Sequence, residues 1–126
     1  MQGLLRELRA WAESAEAVAA VALVGSHARG DARPDSDADL VVLSSSPARL
    51  LEDREWTARF GVVKASALED WGRVTSLGVW YEDGLEAEFR LATPDWETRP
   101  DEGTRRVVSD GLRVLWDPNG LFDSIR

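Results

Sequence analysis

The chain has 126 residues, of which 44% are hydrophobic and 30% charged, and it carries a formal net charge of -8. This length and composition predict one globular domain over residues 1–126, and no apolar run is long enough to cross a membrane. The absence of cysteine excludes disulfides and thiolate metal sites, and we expect a cytoplasmic protein. The acidic excess disfavours polymeric nucleic acid, because Lys and Arg supply most phosphate contacts, and favours a cationic small molecule or a protein partner.

The first half of the chain predicts helices alternating with two buried strands. Apolar residues recur at helical spacing from about Gln2 to Glu16 and predict an amphipathic helix. "VALV" (21–24) predicts a buried strand, "GSHARG" (25–30) a turn into a short helix, and "DADLVVL" (37–43) a second strand. Pro47 is suited to the first turn of a helix that we expect to continue through "ARLLEDREWTARF" and to end at Gly61.

The second half predicts mainly strands. "VVKASALEDW" (62–71) predicts a strand followed by a turn, and two runs rich in β-formers flank Asp83-Gly84, which predicts a hairpin. "DEGTRRVVSDG" (101–111) predicts a short helix, "LRVLW" (112–116) a last strand and "DPNG" (117–120) a turn. The fold class is therefore α/β, with a small mixed β-sheet flanked by helices and an antiparallel hairpin within that sheet.

Two aspartates stand at the start of the second apolar run. Asp37 and Asp39 are two residues apart, so in a strand they share one face, while Ala38 and Leu40 point towards the core. Like charges so close repel, and without a cation one of them tends to stay protonated. This pair indicates a divalent metal site.

A metal site of this kind needs a third carboxylate nearby. The second hairpin strand, "GLEAEFRLA" (84–92), offers Glu86 and Glu88 on one face. We favour Glu88 because it lies deeper in the strand, whereas Glu86 is closer to the turn and to solvent. Glu86 remains the alternative.

Gly25 and Ser26 follow the first strand and precede the predicted short helix. Glycine lets a backbone approach an anion closely, and free N–H groups with a serine hydroxyl can hold phosphate oxygens. Arg29 falls on the first turn of that helix, where it suits a phosphate or an aspartate. An ion pair of Arg29 with a neighbouring loop aspartate is the alternative.

The stretch "GSHARGDARPDSDADLVVL" (25–43) resembles the signature of the polymerase β superfamily of nucleotidyltransferases. Its "GSHARG" is similar to the form found in the minimal nucleotidyltransferases, relatives of the aminoglycoside nucleotidyltransferases. "EFRL" (88–91) resembles the third motif of the family, with Glu88 where aspartate is common. The resemblance covers the first strand to the hairpin and implies a polymerase β-like fold.

The same resemblance implies the roles of individual residues. Gly25 and Ser26 would hold the triphosphate of ATP or another nucleoside triphosphate. Asp37, Asp39 and Glu88 would hold two Mg²⁺ ions and carry catalysis. The implied activity is Mg²⁺-dependent transfer of a nucleoside monophosphate, AMP from ATP, to a hydroxyl of an unknown small-molecule or protein acceptor.

Two other functions are compatible with these residues. The chain could be an antitoxin-like partner of a HEPN-type toxin, with little or no turnover, because minimal nucleotidyltransferases resemble such antitoxins. It could also be a nucleotide-binding fold without chemistry. A homodimer could complete an open site, and Trp80 or Tyr81 could line an acceptor groove or stack on a base.

Overall fold

The computed structural model of the chain describes residues 2–25, 37–70, 75–94 and 112–122. The helices are α1 (Gln2–Ser14), α2 (Pro47–Glu52) and a 3₁₀ helix (Glu55–Phe60); the strands are β1 (Val18–Val24), β2 (Ala38–Ser44), β3 (Val63–Asp70), β4 (Thr75–Tyr81), β5 (Glu86–Ala92) and β6 (Leu112–Trp116). The short helices predicted after Gly25 and over residues 101–111 lie outside the described residues. No helix within the described ranges is long and apolar enough to span a membrane.

The six described strands form one mixed sheet in the order β3-β4-β5-β2-β1-β6. Strands β2 and β5 run parallel, and the other neighbouring pairs are antiparallel. A parallel pair needs a crossover connection, which here contains α2, the 3₁₀ helix, β3 and β4. The predicted α/β class with a mixed sheet is confirmed, and so is the hairpin of β4 and β5.

The sheet buries apolar side chains on both faces. On one face, alternate residues of the central strands pack against α1 and the 3₁₀ helix, and the expected inward positions of Ala38 and Leu40 are confirmed because both are fully buried. On the other face, a smaller cluster contains Ala22, Val41 and Phe122. Because successive strand residues alternate, the polar residues of β5 and the aspartates before and within β2 share this second face.

Stacked aromatic rings fix the helices over β5. The rings of Trp11 and Trp56 lie parallel with centroids 4.7 Å apart, and Trp56 meets Phe89 edge to face at 4.8 Å. The indole N–H of Trp56 also donates to the carbonyl oxygen of Leu50 at 2.9 Å. Phe89 is fully buried, so this contact fixes which face of β5 points to the core.

The prediction of one helix from Pro47 to Gly61 is wrong. Helix α2 ends at Glu52, and Asp53 has an extended backbone with φ -119° and ψ 104° before the 3₁₀ helix begins. The carboxylate of Asp53 accepts a hydrogen bond from the N–H of Glu55 at 3.1 Å, which stabilises the break. The tertiary contacts of Trp56 explain the break, because the indole both stacks on α1 and bonds to the carbonyl of Leu50.

The chain's only tyrosine, Tyr81, gives a prediction about alkaline stability. Its buried hydroxyl donates to the carbonyl oxygen of Thr57 at 2.8 Å, and burial raises the pKa of Tyr81 well above its usual value. In the unfolded chain this phenol ionises near pH 10. We therefore expect the buried hydroxyl of Tyr81 to contribute fully to the free energy of unfolding below pH 10. Above that value the free energy of unfolding should fall as pH rises.

Urea denaturation between pH 8 and pH 11 tests this expectation against Tyr81→Phe. The variant should lose about 1 kcal/mol at pH 8 with the hydrogen bond, and its stability should fall less steeply above pH 10. Parallel curves for the two proteins above pH 10 would contradict the assignment.

Candidate active site

Four carboxylates form an acidic ladder, defined as Asp37, Asp39, Glu86 and Glu88. In the parallel pairing of β2 with β5, Asp39 lies level with Glu88 and Ala38 with Ala87. Asp37 immediately precedes β2, and Glu86 is the first residue of β5. Continuing the same register by one residue towards the start of each strand therefore places Asp37 level with Glu86. The predicted acids thus lie on one face of two neighbouring strands, and the two strands are about 4.8 Å apart.

Arg90 binds the inner pair of the ladder. Its Nη1 lies 3.5 Å from Oδ1 of Asp39, and its Nη2 lies 3.5 Å from Oε2 of Glu88. At this length the contacts are ion pairs rather than hydrogen bonds, and Nη1 is buried without a hydrogen-bond acceptor among the described residues. Sequence reasoning missed Arg90, although its position two residues after Glu88 places it on the same face of β5.

Burial and neighbouring acids work against the charge of Asp39. Burial raises the pKa of Asp39 above its usual value, and the charge of Glu88 raises it further. The guanidinium of Arg90 opposes both effects and lowers this pKa. The positive charge of Arg90 therefore favours the ionised form of Asp39 against the effect of its burial.

Glu86 lies next to Asp37 in the outer pair of the ladder, and its pKa is raised. A side-chain hydrogen bond between Glu86 and Asp37, together with burial and the charges of the other ladder acids, raises the pKa of Glu86 to about 7. The ladder thus consists of two level pairs of acids, Asp37 with Glu86 and Asp39 with Glu88.

A cleft of about 220 Å³ opens beside the ladder over β3, β4 and β5. Its lining includes small residues, an aromatic ring and carboxylates: Ala67, Glu69, Ser76, Gly78, Trp80, Glu86 and Glu88. Trp80 is 38% exposed and belongs to the cleft, whereas Tyr81 points to the buried opposite face. Of the two aromatic residues predicted for a groove, the structure therefore places Trp80 there.

Gly25 gives the ladder room at the end of β1. Its φ is +76°, and a β-carbon at this position would lie 2.8 Å from Oδ2 of Asp39. A side chain would thus fill the space beside the carboxylate as well as strain the backbone. The other two predicted phosphate-binding residues, Ser26 and Arg29, lie outside the described residues.

The chemistry of the ladder suits a divalent cation. Mg²⁺ prefers oxygen ligands, and the ladder offers carboxylate oxygens, those of Asp39 lying close to the backbone of Gly25. Within the described ranges, no three Asp, Glu or His side chains are gathered into a preformed metal site. Asp39 and Glu88 are both paired with Arg90. The acids therefore fit a cation by type and location, while Arg90 already balances part of their charge.

Comparison with known proteins assigns the chain to a family. A family model described as a nucleotidyltransferase domain matches residues 5–79, which include Gly25, Asp37 and Asp39. The chain belongs to this nucleotidyltransferase domain family. The resemblance to the polymerase β superfamily is confirmed, and nucleotidyl transfer is the general reaction class of such a domain. Strand β5 with Glu88 lies beyond the matched residues.

Solved structures similar to this nucleotidyltransferase domain support the fold. An aminoglycoside 6-adenyltransferase from Bacillus subtilis is 13% identical, with a TM-score of 0.59, and the match covers 82% of this chain and 38% of that one. A CCA-adding enzyme in its apo form is 20% identical, with a TM-score of 0.50, over 98% of this chain and 31% of that one. The chain thus spans about a third of the length of either structure. A comparison with curated proteins gives no sequence match.

The close packing of Asp39 against Gly25 can be tested by Gly25→Ala, with Gly84→Ala as control. Both glycines have positive φ, but a β-carbon at Gly84 would meet nothing within 4 Å. We expect both variants to lose about 1 kcal/mol through backbone strain, and Gly25→Ala to lose at least about 1 kcal/mol more through contact with Asp39. Urea denaturation measures both losses, and equal losses would contradict crowding at Asp39.

The role of Arg90 in stability can be tested by Arg90→Gln. Removing the guanidinium leaves two level carboxylates without a counter-charge, and the Arg90 side chain is 23% exposed. We expect a loss of about 1–2 kcal/mol, at the low end for breaking a buried pair because solvent screens part of the interaction.

Arg113→Gln is the charge-matched control, because Arg113 is exposed on β6 at the far edge of the sheet. Its effect should stay within about 0.5 kcal/mol. Chemical denaturation that gives the two variants equal stability would show that Arg90 does not stabilise the ladder.

Proposed function

We propose that this chain transfers a nucleoside monophosphate, AMP from ATP, to the hydroxyl group of an acceptor. The observation that supports this most directly is the level position of Asp39 and Glu88 on neighbouring parallel strands beside Gly25. Membership of the nucleotidyltransferase domain family supplies the reaction class. The identity of the nucleotide and the acceptor chemistry belong to the proposal.

The proposed nucleotide site lies at the end of β1. Gly25 and Ser26 would bind the triphosphate through backbone N–H groups and the serine hydroxyl, and Arg29 would contact a phosphate. The lack of a side chain at Gly25 suits close approach of an anion, but the carboxylate of Asp39 lies against this glycine and would repel an anion. A nucleoside triphosphate could therefore bind well only with accompanying cations.

Asp37, Asp39 and Glu88 are the residues that would hold Mg²⁺, as two ions in the mechanism that the family resemblance implies. When bound, Mg²⁺ would neutralise the triphosphate and make the acceptor hydroxyl more acidic. The carboxylates of the chain would orient both reactants, since Asp39 lies next to Gly25 and Glu88 faces the cleft.

The proposed reaction is an in-line displacement at the α-phosphorus. The acceptor oxygen forms a bond to the α-phosphorus while the bond from that phosphorus to the bridging oxygen of the β-phosphate breaks. The electron pair of the broken bond leaves with pyrophosphate. Glu88 takes the proton of the attacking hydroxyl as general base, because its carboxylate lines the cleft from which an acceptor would approach.

The cleft favours a cationic acceptor. Glu69, Glu86 and Glu88 contribute carboxylates to its lining, and Trp80 contributes an exposed ring that can pack on an apolar or cationic group. The net charge of -8 would assist the approach of a positively charged small molecule or protein segment. The HEPN-type toxin partner, the homodimer, the single-domain extent of residues 1–126 and the cytoplasmic location stay predictions.

The proposed reaction can be tested with ATP labelled at the α- or the γ-phosphate. Incubation with Mg²⁺, cell lysate and cationic small molecules should raise transfer of the α-label, and not of the γ-label, above the level that the lysate gives without the protein. Asp39→Asn should lower this transfer at least about 100-fold, because a lost metal ligand removes several kcal/mol of transition-state stabilisation.

Glu82→Gln is the matched control, because Glu82 is an exposed acid in the hairpin turn. This variant should transfer label as the wild type does. Full transfer by Asp39→Asn, or transfer of the γ-label instead, would reject nucleotidyl transfer at this site.

The choice between the two β5 acids can be tested separately. We expect Glu88→Gln to lower transfer at least about 100-fold and Glu86→Gln to lower it less than about tenfold, because Glu88 lies level with Asp39 whereas Glu86 is at the outer end of β5. Rates measured with the α-labelled nucleotide compare the two. A larger loss for Glu86→Gln would make Glu86 the third ligand instead.

A further inference from the structure

Ser76 makes a contact with Glu88 that the proposed reaction does not yet use. Its hydroxyl is on β4, only 3% of the residue is exposed, and it donates to Oε1 of Glu88 at 2.6 Å. A buried hydroxyl without a partner would be costly, and a bond to a carboxylate is stronger than one between neutral groups. Ser76 therefore binds Glu88 in a fixed geometry.

Strand register explains why Ser76 can reach this carboxylate. Glu88 is directly opposite Gly78 on β4, and Ser76 is opposite Arg90. Diagonal neighbours on adjacent strands are within reach of a long side chain, so Glu88 can contact Ser76, while the ring of Trp80 covers Gly78. Both Ser76 and Glu88 line the cleft, so the bond lies at its wall.

The two oxygens of Glu88 have partners on different sides. Oε1 accepts from Ser76, and Oε2 lies 3.5 Å from Nη2 of Arg90. Arg90 is shared with Asp39, whereas the hydroxyl of Ser76 has Glu88 as its hydrogen-bond acceptor. If a cation or substrate drew Arg90 aside, Ser76 would still determine the orientation of Glu88.

We propose that Ser76 is a positioning residue that holds Glu88 towards the cleft, so that the general base meets an acceptor hydroxyl arriving from the β4 side. This inference rests on the proposed nucleotidyl transfer. Ser76 keeps its own proton in the bond to Oε1 and forms no bond with either substrate. Its contribution is to the orientation of Glu88, and therefore to the rate of the chemical step rather than to nucleotide binding.

The test uses Ser76→Ala, Ser76→Cys and Ser76→Thr in the full chain. Alanine removes the donor, cysteine fills the space of the serine but is a weak donor, and threonine keeps the hydroxyl. Ser66→Ala is the matched control, because Ser66 is an exposed serine on the neighbouring strand β3. The assay follows release of AMP and pyrophosphate from α-labelled ATP with Mg²⁺, in which water replaces the acceptor, and Mn²⁺ titration is measured alongside.

We expect Ser76→Ala and Ser76→Cys to lower kcat roughly tenfold and to change KM for ATP by less than about twofold. Ser76→Thr and Ser66→Ala should stay within about threefold of the wild type, and Mn²⁺ affinity should be similar in all variants that fold. If alanine prevents folding, cysteine provides the same test without a cavity. This pattern would support positioning by the hydroxyl.

Other outcomes overturn the inference and show which proposal has failed. A wild-type kcat in Ser76→Ala and Ser76→Cys, a loss that threonine does not restore, or a loss confined to KM would overturn the role of Ser76 and leave nucleotidyl transfer in place. If the wild type transfers the α-label to an acceptor no faster than Asp39→Asn does, nucleotidyl transfer itself fails, and the role of Ser76 fails with it.

Discussion

The parallel pairing of β2 with β5 is the constraint on which the candidate site depends. It puts Asp39 level with Glu88, and on the opposite face of β5 it buries Phe89 under Trp56. A slip of one residue would turn Glu88 into the core and Phe89 into the cleft, so the core fixes the register of the acids. The aromatic stack that holds α1 and the 3₁₀ helix therefore also holds the two carboxylates side by side.

Carboxylates placed so closely require compensation, and the described residues supply it in three ways. Arg90 pairs with both inner acids, the raised pKa of Glu86 reduces the charge of the outer pair near neutral pH, and the hydroxyl of Ser76 binds Glu88. Each of these interactions uses residues on the same face of the sheet, where the alternation of side chains along the strands places them. The site can thus keep a concentration of negative charge that would attract cations while the fold remains stable.

Much of this arrangement could be predicted from local patterns. Alternation placed Asp37 with Asp39 and Glu86 with Glu88, and Asp83-Gly84 predicted the turn that joins β4 to β5. The break after Glu52 could not be predicted, because it depends on contacts of Trp56 with residues distant in sequence. The link from Ser76 to Glu88 was missed for a similar reason, since it requires the pairing register of the hairpin. Arg90 was overlooked although the same alternation that selected Glu88 applies to it.

The single parallel pair among the described strands also has a consequence for folding. β2 and β5 cannot meet through a tight turn, because α2, the 3₁₀ helix, β3 and β4 lie between them in the chain. Closing so long a loop costs entropy before the contacts that repay it can form. The hairpin of β4 and β5 is local, so it can arise early, whereas the meeting of Asp39 with Glu88 belongs to the late, cooperative stage. A partly folded chain could then contain the hairpin of β4 and β5 while Asp39 and Glu88 are still apart. Cation binding at the ladder would therefore detect only molecules in which the whole sheet has formed.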